Sequence, residues 1–177
     1  MDLKNMSYNE KEKLATNPNT PEDLLRELAK DTARTLQGDV ARNLSTPEDV
    51  LRELAKNKVS SVRHSVAENP NTPEDVLREM AKNEDYRSDS ITRAFVARNP
   101  NVPEDVLLVL ATDVKFMVRL DVAHNTKSSV KVLVTLFEYE KNLKEPTRYV
   151  IKRLYRNPKL PHIAKVIIET LFKEMLT

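Results

Sequence analysis

One block of 18 residues recurs along this chain, and nothing else in the sequence restricts the fold as strongly. Leu14–Asp31 (LATNPNTPEDLLRELAKD), Val40–Asn57 (VARNLSTPEDVLRELAKN), Val66–Asn83 (VAENPNTPEDVLREMAKN) and Val96–Asp113 (VARNPNVPEDVLLVLATD) align almost residue for residue. Weaker copies follow at Val122–Tyr139 and Leu154–Met175. The second proline of the motif, or the residue in its place, is Pro21, Pro47, Pro73, Pro103, Ser129 and Pro161, which gives steps of 26, 26, 30, 26 and 32 residues. Insertions of four and six residues account for the two long steps. Self-similarity at such a period belongs to stacked repeats, each a unit that cannot bury its apolar stripe alone.

Each copy reads as two helices. In the second, Val76, Leu77, Met80 and Ala81 recur at helical spacing, while Glu74, Asp75, Arg78, Glu79 and Lys82 take the remaining positions, leaving one apolar stripe on a charged cylinder. Thr72 is expected to cap this helix, as are Thr20 and Thr46, with Pro73 in its first turn and Glu74 and Asp75 at the positive end of its dipole. The first helix is expected to be the shorter one. Its apolar positions are Val62, Val66 and Ala67, echoed by Leu36, Val40 and Ala41 and by Val118, Val122 and Ala123. It ends at Asn17, Asn43, Asn69, Asn99, Asn125 or Asn157, usually before a proline that forces the asparagine out of the α region. These asparagines read as turn residues bonding their local backbone rather than as a ligand-binding ladder. The residue before each asparagine changes freely (Thr16, Arg42, Glu68, Arg98, His124, Arg156), which marks a solvent-facing position.

Composition enters as support. One glycine and ten prolines exclude Gly-rich phosphate loops and tight β-hairpins, so the turns must come from the N-P-x-T-P segment. There is no cysteine for disulfides, thiolate nucleophiles or thiolate metal sites, which suits a reducing compartment and an expected cytoplasmic location. Met1–Leu14 has no apolar core and no run of 18 apolar residues occurs, so neither export nor a membrane partner is expected. The expected architecture is an all-α, right-handed α-solenoid of about six two-helix repeats over 1–177. Its repeats are clear over 14–139, and a divergent basic repeat or cap covers 140–177. With layers about 10 Å apart, six repeats would span roughly 60 Å.

The string VA-x-N-P-x-T-P-E-x-L/V-L-x-x-L-A, preceded by Val62-Arg63 and Val118-Arg119, resembles the leucine-rich repeat variant family, within the armadillo and HEAT-like repeat proteins. The resemblance implies a right-handed superhelix in which an α-helix alternates with a shorter 3₁₀ helix. The repeats here are longer than that family's usual spacing, which leaves the first helix open between α and 3₁₀. The cysteine-bound iron–sulfur cluster of the family's first-described member cannot be carried over to a chain without cysteine. No cofactor is expected.

Residues for catalysis do not converge. His64, His124 and His162 fall in three different repeats, too far apart in a stack to share a metal, and the carboxylate pairs sit on helix first turns. The chain is therefore read as a non-enzymatic scaffold or adaptor binding a protein or peptide, with Arg42, Glu68, Arg98 and His124 as candidate contacts on a concave face. DNA alkylation-repair glycosylases also use a HEAT-like solenoid, but their tryptophan-rich surface has no counterpart in a chain without tryptophan and with nine other aromatics. They stand as a third alternative.

Charge is divided unevenly: residues 1–113 carry 16 basic against 21 acidic groups, and residues 114–177 carry 13 against 6. A helix starting near Pro146 would bury Val150, Ile151 and Leu154 and leave Arg148, Lys152 and Arg156 in one exposed row, with Tyr149, Arg153 and Tyr155 beside it. This basic segment, 141–165, is the candidate for the alternative partner, nucleic acid, unless it is a solvated terminal cap. Where early repeats have Arg-Glu (Arg26-Glu27, Arg52-Glu53, Arg78-Glu79), later ones have Leu108-Val109 and Val134-Thr135. That apolar pair of layers is expected either to be covered by the 140s connection and the last helix or to meet another chain, a second copy included. Arg63, Arg93 and Arg119 share one register and are expected to form a ladder to acids of the neighbouring layer, such as Asp89 or Asp121.

Overall fold

The computed structural model describes residues 3–82 and 89–177, and the described residues hold helices and no strand. After one 3₁₀ turn, the helices pair as α1 (Tyr8–Thr16) with α2 (Glu22–Leu28), α3 (Arg34–Arg42) with α4 (Glu48–Leu54), and α5 (Ser60–Glu68) with α6 (Glu74–Lys82). They continue as α7 (Ser90–Arg98) with α8 (Glu104–Leu110), α9 (Phe116–His124) with α10 (Val130–Lys141), and α11 (Arg148–Arg156) with α12 (His162–Leu171), closed by the single turn α13 (Lys173–Leu176). Each repeat of the sequence is one pair of helices, and each pair packs on the next to form an α-helical solenoid. The stripes meet as expected, with Leu25, Leu51, Leu77, Leu107 and Leu133 fully buried along one continuous core.

Two expectations about the helices need correcting. The first helix is not regularly the shorter one: it is an α-helix of nine residues in every repeat, against seven in α2, α4 and α8, nine in α6, 12 in α10 and 10 in α12. Its opening turn, Ser60-Ser61 in α5, carries no apolar residue and so left no mark on the periodic pattern. Nor do Thr20, Thr46 and Thr72 cap the second helices. Those helices begin behind Pro21 and Pro47 with no side-chain cap. The threonine hydroxyls point back instead, donating to Leu14 O at 2.6 Å, Val40 O at 2.5 Å and Val66 O at 2.6 Å, and Ser128 does the same to Val122 O at 2.6 Å. Each of these carbonyls also accepts the N–H of the asparagine that ends the helix, so the hydroxyl gives it a second bond.

The asparagines have two tasks. Each Oδ1 accepts the backbone N–H two residues on, as Asn69 does from Asn71 at 2.8 Å, which shapes the turn without any residue at positive φ. Each Nδ2 from the second repeat onward also reaches into the preceding layer. Asn43 donates to Ala15 O and Asn17 O, Asn69 to Ala41 O and Asn43 O, Asn99 to Ala67 O and Asn69 O, and Asn125 to Ala97 O and Asn99 O, all within 2.6–3.1 Å. Asn157 continues the row to Ala123 O at 3.3 Å. A buried amide ladder therefore stitches the layers through their main chains.

The stack is closer on one side. First helices pack against one another along the whole row, α1 to α11, whereas among second helices comparably close packing is confined to α6 with α8 and α8 with α10. The tightly stacked first-helix layer is termed the inner face.

Candidate functional site

Position on the inner face is fixed by distance from the asparagine. Residues one, four, five and eight before it line this layer; in α5 Glu68 and Ser61 are exposed, His64 is half-buried, and Ser65 is fully buried beside Val62, Val66 and Ala67. Contacts between layers follow the same register. A Cβ on Gly38 would meet Ser65 Oγ at 3.4 Å, the His64 and Phe95 rings stack with centroids 5.5 Å apart, and Arg98 Nε lies 2.8 Å from Asp121 Oδ1. Down this face the residues change character. Repeats 1 and 2 show polar groups such as Asn9, Glu12, Lys13, Thr35 and Asp39.

Repeats 4 and 5 are different. Ile91 is 57% exposed, Met117 46% and Phe116 40%, with Phe95 and Leu120 half-buried between them and resting on the core. Tyr149, in the same register on α11, is 67% exposed. Tyr149 was a sequence candidate, for nucleic acid; Ile91, Phe95, Phe116, Met117 and Leu120 were not. The column eight before the asparagine did carry the signal, since it runs Asn9, Thr35, Ser61 and then Ile91, Met117, Tyr149. It lies outside the repeated motif and so outside the aligned block.

Arg42, Glu68, Arg98 and His124 are all exposed, one per layer at the end of a first helix. Arg42 and Glu68 approach to 3.6 Å, Arg98 pairs with Asp121 and covers the Phe95 ring at 5.6 Å, and His124 Nδ1 lies 2.9 Å from Leu120 O. The next rung breaks the pattern. Arg153 takes the register position on α11 that Asp121 holds on α9, so the rung after Arg98–Asp121 has no carboxylate at the position matching His124.

The helix α11 buries Val150, Ile151 and Leu154 and presents Arg148, Lys152 and Arg156 along one stripe. Partial burial and then the neighbouring Arg148 and Arg156 make Lys152 lose its proton more readily than usual. Arg148 donates to Met175 O at 3.2 Å, and the buried Nε of Arg153 meets no acceptor among the described residues. Tyr155 is not free to stack on a ligand, because its hydroxyl donates to Glu169 at 2.5 Å and its ring packs on the core.

The arginine ladder exists with partners partly other than expected. Arg63 pairs with Asp89 at 2.5 Å, but Arg93 pairs with Asp113 at 2.6 Å and Arg119 with the fully buried Glu140 at 2.6 Å, while Asp121 goes to Arg98. Burial pushes the Asp89 carboxyl up; bonds from Thr92, Arg63 and His64 outweigh it and hold the group at about 2.

On the outer layer a second ladder joins Arg26 to Asp49 at 3.0 Å, Arg52 to Asp75, and Arg78 to Asp105 at 3.0 Å. These arginines hold all three carboxyls below the usual aspartate range. Leu108 continues that register opposite Lys131, and Val134 opposite Ile163, so the ionic rungs give way to apolar ones. The last helices α12 and α13 pack chiefly on α11 and on each other. Leu108 and Val134 are half-buried, and Val109 remains 45% exposed.

Among the described residues no group of three or more His, Asp or Glu lies close enough to hold a metal, and no helix is long and apolar enough to cross a membrane. A concavity of about 840 Å³ runs along the N-P-x-T-P turns past Ser45, Pro70, Asn71 and Asn101. Those side chains are spent on neighbouring turns, Ser45 donating to Pro18 O, Asn71 to Leu44 O and Asn101 to Pro70 O. Comparison of the chain with family models, curated proteins and solved structures gives no match.

Proposed function

We propose that this chain is a non-enzymatic helical-repeat scaffold that binds a protein or peptide on its inner face. One observation carries the reading: Ile91, Phe116, Met117 and Tyr149 stand exposed in three successive layers of a face that is otherwise polar. Adjacent apolar side chains held in water by a rigid stack form a surface whose burial by a partner releases free energy, at about 25 cal/mol per Å². The resemblance to leucine-rich repeat variant and armadillo-like repeats points the same way, and the absence of cysteine supports a reducing, cytoplasm-like setting. Affinity capture from native lysate, with and without nuclease, tests the reading. Partners that survive nuclease and are lost on Met117→Glu support it; loss of every partner with nuclease refutes it.

A second reading, nucleic acid on segment 141–165, has the cationic stripe of α11 behind it. That stripe spans eight residues of one helix, about 12 Å. Three or four phosphate contacts fall short of the six to ten typical of strongly salt-dependent complexes. A second copy of the chain meeting Val109 is the remaining partner, and light scattering separates it from a heterologous one.

A further inference from the structure

Resting on the scaffold reading, we infer that the inner face of repeats 4 to 6 takes an acidic amphipathic segment of a partner protein. Its apolar side chains lie over Ile91, Phe95, Met117 and Leu120, and its carboxylates over Lys152, Arg153 and Arg156. The apolar half of the site is the exposed row already described. Charge complementarity identifies the occupant. Between repeats 2 and 3 the face neutralises itself through Arg42 and Glu68, and between repeats 4 and 5 through Arg98 and Asp121. Between repeats 5 and 6 it does not. His124, Lys152, Arg153 and Arg156 converge there without an ion pair among the described residues, and the buried Nε–H of Arg153 has no acceptor. Glu169, on α12, is engaged by the Tyr155 hydroxyl, and Asp121, on α9, by Arg98. The accessible cations Lys152 and Arg156 have no carboxylate paired with them among the described residues, and charged rims of this kind select partners by sign.

The dimensions limit the occupant further. From α7 to α11 is two layers, about 16–20 Å, which a helix of about 12–14 residues spans. The apolar contacts and the acids of the segment should therefore be separated by about two helical turns. Nucleic acid suits this surface less well, because its charge would lie over Ile91 and Met117 as well as over α11.

The test uses the full chain and a display library of random peptides about 16 residues long. Enrichment of peptides with apolar residues followed by an acidic cluster is the expected result. Their affinity should fall at least about tenfold on Lys152→Glu with Arg156→Glu, and again on Met117→Glu, but not on Arg26→Glu in the outer ladder. All these sites are exposed or half-exposed, and unchanged far-UV circular dichroism shows that each variant is folded. Enriched peptides without net negative charge, affinities insensitive to the α11 variants, or no enrichment overturn the inference, as does tighter binding of a single-stranded oligonucleotide at the same site. Nuclease-resistant lysate partners that respond to Met117→Glu but not to the α11 variants would overturn this inference and leave the scaffold reading standing.

Discussion

Replacing Asn69 by alanine separates a turn-forming asparagine from one that joins repeats. The Asn69 side chain makes three bonds in a dry environment: Nδ2 to Ala41 O at 2.7 Å and to Asn43 O at 3.0 Å, and Oδ1 from Asn71 N–H at 2.8 Å. Each is worth about 1 kcal/mol net, and truncation leaves Ala41 O buried without the amide donor while Asn43 O keeps the Thr46 N–H, so Asn69→Ala should cost about 3–5 kcal/mol. Asn17 provides the internal control. It occupies the same place in the first repeat, is exposed, and accepts only from Asn19 N–H at 2.9 Å, so Asn17→Ala should cost about 0.5–1 kcal/mol. Equilibrium unfolding in urea followed by circular dichroism measures both. In a chain of this length the larger loss corresponds to about 10 °C in melting temperature. Asn69→Asp sharpens the contrast. Aspartate keeps the turn acceptor but directs a second oxygen at two carbonyls, so it should cost at least as much as alanine. Equal losses at Asn17 and Asn69, or a well-tolerated Asn69→Asp, would refute the ladder.

Arg119→Ala should lose about 3–5 kcal/mol in the same assay, because it strands the fully buried Glu140; Arg119→Met with Glu140→Leu should recover most of it. Asp89 is held at about 2, below its ordinary 3.8, so its bonds add stability above about pH 4 that is lost as the pH falls toward 2. Acid titration of Asp89→Asn should accordingly show a shallower decline across that interval. Thr72→Asp would stabilise α6 if Thr72 were its cap, but it should destabilise by about 1–3 kcal/mol, because a carboxylate oxygen replaces the hydroxyl that donates to Val66 O. Gly38→Ala should raise stability by about 0.5–1 kcal/mol by thermal melting, since the added Cβ meets Ser65 Oγ at 3.4 Å and the helix gains propensity.

The repeat, the pairing of helices and the buried stripe could be read directly, because periodicity is local and each copy repeats the message. The limits of Arg148–Arg156 and its buried residues followed from the same spacing. What could not be read depends on stacking. The carbonyls bonded by the asparagine amides lie 26 to 34 residues away, and only the register between layers brings them near. Thr72 had two destinations of equal plausibility along the chain, the helix ahead and the helix behind, and the buried carbonyl of Val66 decides between them. Arg93 and Arg119 were assigned to the wrong acids for the same reason: Asp113 and Glu140 approach them through the turn of the packed layers, whereas Asp121 faces outward to Arg98.

Two kinds of position therefore share each repeat. The groups that hold layers together mostly address main-chain atoms: asparagine amides, threonine hydroxyls, and the Arg63 and Arg119 guanidiniums that donate to Asn57 O and Asp113 O. Main-chain acceptors are the same in every layer, so stacking is indifferent to what the outward columns carry, and those columns are free to vary. Where they vary matters for binding. Over Arg42 and Glu68 a partner must first desolvate or displace a pair that already satisfies itself, and such exposed pairs return little. Over Met117 and Ile91 it displaces only water, and over Lys152 and Arg156 its carboxylates meet cations with no ion pair among the described residues. A self-neutralised first half thus directs a ligand toward the carboxy-terminal repeats as effectively as any contact those repeats make.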